Sequence, residues 1–415
     1  MTTTAPLPAA AAYGRLMDQA NRHDPYPLFA ELAAEPVQRL DAHTWLVARH
    51  TDIARLLRDP RLSARDDAPH GGPDAPLGSD GLPFAGPFLS LDPPHHDTLR
   101  EQTMHQLVPR ILGMRPHIEA AVGQLLDAAG GGPGRLDIVE SVAYPLPVGV
   151  ICELLGVPRE EEPVFHSFAT RLTRGLDPVE SLSARQIADL EVTRRDWRAY
   201  LLPMIARRQA DPGADLISGL LTEGDPAHRM NTLELGATLG LLLIAGHETT
   251  VNLVANGTLA LLRHPDVLAR LRADPGLAPA VVEEVLRFDP PVQMTGRHAT
   301  APIQVGGQTV EPGDRVLLLL AAGNRDPLRF PDPDRFWPER PDNAHLAFGG
   351  GVHYCVGAAL ARMEAQAALS AIATRLTAPR LVADPPPYRP TMLLRGPREL
   401  LVDHDGITGR APASG

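Results

Sequence analysis

Two stretches of this 415-residue chain carry side chains whose types and spacing could do chemistry. The first is AFGGGVHYCVGAALARMEA (347–365). Gly349, Gly350, Gly351 and Gly357 bracket Cys355, and a helix-forming run begins directly after it. Glycine permits tight turns and close backbone approach to a flat object, while a helix start offers unpaired amide protons and a positive dipole end that stabilise a thiolate. A lone cysteine beside a helix is otherwise a small buried side chain. A Cys–His nucleophile pair is the weaker alternative, because His353 and Cys355 are two positions apart and no third orienting group accompanies them. The second stretch is AGHETT (245–250), which interrupts an apolar helical run with Glu248, Thr249 and Thr250. A carboxyl there is costly unless hydrated, paired or functional, and threonine can return its hydroxyl to the preceding turn. The small pair Ala245–Gly246 leaves room for a ligand above a flat cofactor. His247 is assigned to packing or a pocket edge, since adjacent helix residues do not share a face.

Two charged pairs stand at helical spacing. Glu284 and Arg287 are three positions apart, and His96 and Arg100 four apart on a face suited to a bound carboxylate. On its own the first is a surface pair of little energetic value, and the second is a weak signal.

Together the segments resemble a known family. Phe348, Gly349, Gly351, His353, Cys355 and Gly357 meet the pattern Phe-Gly-x-Gly-x-His-x-Cys-x-Gly, and this loop resembles the heme-thiolate loop of the cytochrome P450 family. AGHETT is similar to that family's oxygen-binding helix, with Ala245, Gly246, His247, Glu248 and Thr249 in place. Four ordered motifs extend the resemblance over roughly residues 20–405. It implies heme b (iron protoporphyrin IX), Cys355 as the axial iron ligand and Phe348 packed near its sulfur. It further implies heme propionates held by His96, Arg100, Arg297 and His353. Thr249 would organise water beside bound oxygen and Glu248 would link that water to bulk protons. Glu284 and Arg287 become a core pair whose third member is Arg340, with Arg335 as second choice, and Glu283 is expected to face elsewhere. Gly350 departs from the family, many bacterial members having His there.

The implied activity is that of a bacterial-type monooxygenase inserting one oxygen atom from O2 into a hydrophobic small molecule, in secondary metabolism. The thiolate ligand favours O–O cleavage. Neither a flavin nor a nicotinamide domain is recognisable, so electrons are expected from a ferredoxin and its NAD(P)H-dependent ferredoxin reductase. Oxidative coupling, desaturation and peroxide-driven chemistry are the alternatives, followed by a noncatalytic heme-binding role.

These residues must be positioned by a mostly helical frame. Periodicity predicts helices over 96–108, 114–129, 187–208, 232–264, 279–288 and 356–375, with a short helix after Tyr26 and another at IARLLRD. Short alternating or β-branched runs predict strands at 44–50, 302–305, 308–310 and 315–319. The segment 65–87, rich in Gly, Pro and Asp, reads as a loop that could cover a pocket. The expectation is one mainly α domain with minor β sheets, the cytochrome P450 fold, over 20–405. A flexible lead-in (1–19) and a flexible tail (406–415) flank it. Substrate contacts are expected from 65–90, 166–195, 241–249, 291–295 and 390–393, forming a mostly apolar cavity.

Composition sets the outer limits. With 39 Arg and Lys against 50 Asp and Glu, the net charge is −11, which disfavours nucleic-acid binding. The two cysteines, Cys152 and Cys355, exclude a disulfide scaffold and a multi-cysteine metal site. Cys152, in the apolar run ICELLG, is expected to be dispensable. The apolar run Leu241–Ala245 is far shorter than the roughly 20 residues that span a bilayer. A cytoplasmic monomer without membrane attachment is the expectation.

Overall fold

The computed structural model describes residues 8–65, 87–177, 181–223 and 229–409. Helices run in chain order as α1 (Pro8–Met17), α2 (Tyr26–Leu32), α3 (His50–Leu56), α4 (His95–Leu112), α5 (Arg115–Ala128), α6 (Pro145–Leu155) and α7 (Glu162–Thr173). They continue as α8 (Ala184–Ala210), α9 (Leu216–Thr222), α10 (Thr232–Arg263), α11 (Pro265–Ala273), α12 (Ala278–Phe288), α13 (Leu320–Gly323) and α14 (Ala358–Arg375). The axis of the fold is α10. An Asn231–Glu234 capping box starts it, and His264–Pro265 turns the chain into α11. It buries residues on every side, which explains a composition apolar enough to suit a bilayer: 67% of its most apolar window is covered by protein. Gly257 lets α14 lie against it, since a Cβ there would stand 2.7 Å from Leu369 Cδ1.

The strands are β1 (Val37–Arg39), β2 (Thr44–Val47), β3 (Leu62–Ser63), β4 (Gly134–Asp137), β5 (Thr295–Ala299), β6 (Ile303–Val305), β7 (Gln308–Val310), β8 (Arg315–Leu318), β9 (Leu376–Thr377), β10 (Arg380–Leu381), β11 (Leu401–His404) and β12 (Gly406–Ile407). The main sheet has the order β1-β2-β8-β5-β3, with β2 and β8 parallel and the other pairs antiparallel. Its register sets Arg297 of β5 opposite Val316 of β8 and so fixes where that guanidinium can reach. A three-stranded sheet, β10-β11-β4, ties the C-terminal region to the segment before α6. The chain is mainly α with minor β sheets.

Two sequence expectations need correction. From Pro8 onward the lead-in is not loose: α1 buries Ala9, Ala12 and Leu16 in a cluster with Phe29, Leu32, Met294, Leu317 and Leu319. Tail residues Gly406 and Ile407 form β12, which pairs with β9 and buries Ile407 against Leu376. Residues 1–7 and 410–415, and most of the expected covering loop (66–86), lie outside the described residues.

Candidate active site

The cysteine loop is built by backbone geometry. Cys355 N–H donates to Phe348 O at 3.0 Å, Gly349 N–H to Leu346 O at 2.8 Å and Tyr354 N–H to Gly351 O at 3.1 Å. Gly349 and Gly351 take φ +68° and +66°, in the left-handed region that favours glycine. At Gly351 the requirement is also steric, because a Cβ would lie 2.3 Å from Leu57 O. Gly350 is extended and buried against α3, with Leu57 Cβ at 3.4 Å from where a side chain would begin. Cys355 keeps accessible surface, yet it lies deep enough that desolvation pushes its thiol pKa up, so it sits in a recess. A hydrogen bond from the Gly357 N–H and the charges of Arg100 and Arg362 pull the other way and favour the thiolate. Cys152 is fully buried, and burial, followed by Glu162, pushes it up to about 12; it is an inert core thiol.

Phe348 is clamped by its neighbours. The Arg362 guanidinium lies 4.5 Å from its ring centroid, and the His345 and Tyr354 rings approach at 5.8 and 6.2 Å. Arg362 is itself fixed by Glu283 of α12 at 2.7 and 2.9 Å. Glu283 thus faces away from the Glu284–Arg287 pair, as expected, and it anchors the cysteine loop's aromatic residue.

Beside the loop the four expected basic residues converge. His96 is fully buried on α4, with its ring 4.4 Å from that of His353. Its Nδ1 meets Asp97 Oδ1 at 2.7 Å while its Nε2 is buried without a partner. The Nδ1 of His353 is likewise buried and unpartnered. Burial, then Arg297 and His96, lower the His353 pKa to about 4. Arg100 donates to Tyr354 O at 2.7 Å, and burial lowers the pKa of Arg297 against the opposing pull of Asp92. Two buried, unpartnered ring nitrogens, with the charges of Arg297 and Arg100 nearby, suit the site to carboxylates. Among the described residues no group of three or more His, Cys, Asp or Glu side chains could hold a metal ion. A thiolate donor beside a carboxylate-seeking basic cluster fits heme b, whose propionates are carboxylates.

On α10, Leu241, Ala245 and Thr249 share one face at four-residue spacing. Leu241–Leu243 are buried, yet Ala245 is exposed and Thr249 half-exposed in mid-helix, so this face borders open space. Ile244 is more open than the buried Leu242. The Thr249 hydroxyl donates to Ala245 O at 2.6 Å, which leaves its oxygen free to accept. Glu248 is only 3% exposed and accepts from Arg389 Nη1 at 3.0 and 3.3 Å. Burial raises the Glu248 pKa and Arg389 opposes the rise. His247 lies at no pocket edge: it is fully buried against Tyr144, with ring centroids 4.5 Å apart, and His166. Burial, helped by His166 and Arg389, takes its pKa to about 3, so its 4.0 Å approach to Glu248 is a contact between a neutral ring and an acid.

The core pair is a fully buried network. Glu284 accepts from Arg287 Nη2 and Nε at 2.7 and 2.9 Å and from Trp337 N–H at 2.8 Å. Arg340 Nε stands 3.6 Å from Glu284, beyond hydrogen-bond length, and its guanidinium donates to the carbonyls of Pro331, Asp332 and Arg335. Arg340 is therefore the third charged member, while Arg335 contributes its carbonyl.

Sequence reasoning missed Arg389, Tyr144 and Glu364. Burial pushes Glu364, fully enclosed on α14 and bonded to Thr250, up to about 8. Each depends on a contact across the fold that no local spacing announces.

A family model described as Cytochrome P450 matches residues 276–403. Cytochrome P450 107B1 of Saccharopolyspora erythraea is 38% identical over 416 residues, covering 96% of this chain and 99% of its own. The 6-deoxyerythronolide B hydroxylase of the same organism is 37% identical over 398 residues, covering 92% and 96%. Ligand-free CYP164A2 of Mycobacterium smegmatis superposes with a TM-score of 0.86 at 40% identity, over 95% of this chain and 99% of that one. With sequence shared along nearly the whole length and the fold shared as well, this chain belongs to the cytochrome P450 family and is a monooxygenase of that family.

Proposed function

We propose that the chain holds heme b through the Cys355 thiolate and oxidises a hydrophobic secondary metabolite. In this reading it draws electrons from a ferredoxin and its NAD(P)H-dependent reductase, in the cytoplasm. The observation that carries the reading is the recessed Cys355, bonded by Gly357 N–H and flanked by the orphaned nitrogens of His96 and His353. Bound heme would supply the redox chemistry, the reductive cleavage of O2 with two electrons and two protons that sends one oxygen atom to substrate and one to water. The protein's own groups divide the remaining work. Arg100, Arg297, His96 and His353 bind the propionates, and Phe348 packs the sulfur's side of the loop. Ala245, small and exposed, would leave room beside the bound cofactor, and Thr249 presents a hydroxyl oxygen that would orient water. Glu248 Oε2 accepts protons arriving from solvent and passes them to that water.

The apolar face of α10 and the segments 291–295 and 390–393 support an apolar substrate, in keeping with a relative that hydroxylates 6-deoxyerythronolide B. Screening polyketides, terpenoids and aromatic compounds for a change in iron spin state, then turning over the responders under isotopically labelled O2, tests the proposal. One labelled oxygen atom in the product supports it; label appearing only in water, or no responder in these classes, contradicts it.

A further inference from the structure

The C-terminal segment 387–398 folds back on itself as a strap. Arg389 N–H donates to Gly396 O at 3.1 Å and Arg398 N–H to Pro387 O at 2.8 Å, which closes the base. At the tip, Met392 N–H and Leu393 N–H both donate to Asp177 Oδ1, at 2.8 and 3.0 Å. Asp177 is buried and lies just past the end of α7. The tip also meets the segment after α12, where Gln293 N–H donates to Leu393 O at 3.0 Å. Near the base of the same strap, Arg389 forms the ion pair with Glu248.

A second route joins the same elements. The Tyr144 hydroxyl shares a 2.5 Å hydrogen bond with Thr170 of α7, and the Arg389 Cζ lies 5.9 Å from the centroid of the Tyr144 ring. The position of α7 is thus read twice by Arg389, once through the strap's backbone and once through Tyr144. Strap-tip residues Thr391, Met392 and Leu393 are half-exposed, as is Ile244 on the open side of α10.

We infer that Arg389 is a positioning residue for Glu248, and that the Asp177–strap connection makes its grip depend on α7, so that a substrate lodged against the strap tip sets the acid for proton supply. This rests on the reading of Glu248 as the group that passes protons to the oxygen site. The physical logic is local. An ionised carboxylate inside the fold is stable only in the orientation where its cation meets it. If the strap shifts, the carboxyl takes up a proton and loses its fixed direction, and delivery fails. Among the described residues around it, Arg389 is the counter-charge: His247 is neutral, Tyr144 is pushed up to about 12 chiefly by burial, and His166 and Glu140 lie one contact further away.

The test compares Arg389→Ala, Arg389→Gln, Arg389→Lys, Asp177→Ala and Glu248→Gln in the heme-loaded protein. Infrared difference spectra follow the protonated carboxyl band that vanishes in Glu248→Gln, and peroxide released per product formed is measured with saturating substrate. In Arg389→Ala and Arg389→Gln the band should titrate about one pH unit or more higher, as loss of a counter-charge within contact distance requires. Arg389→Lys should restore most of the wild-type titration. Asp177→Ala, which leaves Arg389 in place, should shift the band the same way and raise the peroxide-to-product ratio several-fold. An unmoved band in both Arg389→Gln and Arg389→Ala overturns the role of Arg389. Wild-type behaviour of Asp177→Ala in both readouts overturns the connection to α7. If Glu248→Gln is itself fully coupled, the relay reading has failed; if it uncouples while the Arg389 and Asp177 variants match wild type, only the present inference has.

Discussion

Thr249 and Glu248 differ in what each can contribute, and the difference can be measured. The Thr249 hydrogen is committed to Ala245 O at 2.6 Å, so the residue offers an oxygen that can accept a hydrogen bond and is no acid itself. Glu248 can take up and release a proton, and burial keeps its pKa raised. Thr249→Ala should keep Cys355 ligation and most substrate binding, but lower product formed per electron and increase peroxide release. Glu248→Gln should slow the same proton supply, with water partly compensating. Stopped-flow oxygen reactions and peroxide-to-product ratios check both, and wild-type coupling in the two variants would contradict the assignment. Both residues were legible in AGHETT because a carboxyl and hydroxyls stand out against an apolar helix. Arg389 was not, since 141 positions separate it from its partner and nothing in its own neighbourhood marks it.

Elements transmit position to the cysteine. Helix α12 holds α14 through Glu283 and Arg362, and Arg362 in turn caps the Phe348 ring. Burial alone would raise the Glu283 pKa, but hydrogen bonds from Arg362 and His345 outweigh it and bring it to about 2. A depressed carboxylate contributes stability above its unfolded value and loses it as pH falls through the folded one. Urea melts should therefore show Glu283→Gln less stable than wild type at neutral pH, with the gap closing as pH drops from about 4.3 toward the folded value. The loop itself offers a contrast between neighbours. Gly351→Ala forces a left-handed φ at a cost of about 1–2 kcal/mol, plus the clash with Leu57 O, and should weaken heme retention. Gly350→Ala meets only ordinary contacts in an extended backbone and should retain heme like wild type. Heme-transfer rates to apomyoglobin would separate the two, and equal rates would remove the steric account. Long helices such as α10 and α14 were read from the sequence nearly to their ends because their apolar positions repeat over many turns. The two-residue strands β9, β10 and β12 carry no such repeat and are fixed only by pairing across the chain.

At the scale of the molecule, the N-terminal segment proved to be part of the frame. The alanine-rich run PAAAAYGRLM lacks the bulky stripe that marks a core helix, yet α1 closes the apolar side of the main sheet through Leu16, which is 1% exposed. Leu16→Ala should cost about 2–5 kcal/mol in denaturant melts, where a loose lead-in would lose nothing. The frame serves one centre, and the most direct test is of its ligand. Sodium dithionite and carbon monoxide added to the heme-loaded protein should give a Soret band near about 450 nm, the position a thiolate ligand imposes. Cys152→Ser should keep that band and Cys355→Ser should lose it; a Cys355→Ser protein that retains the band would contradict the account at its centre.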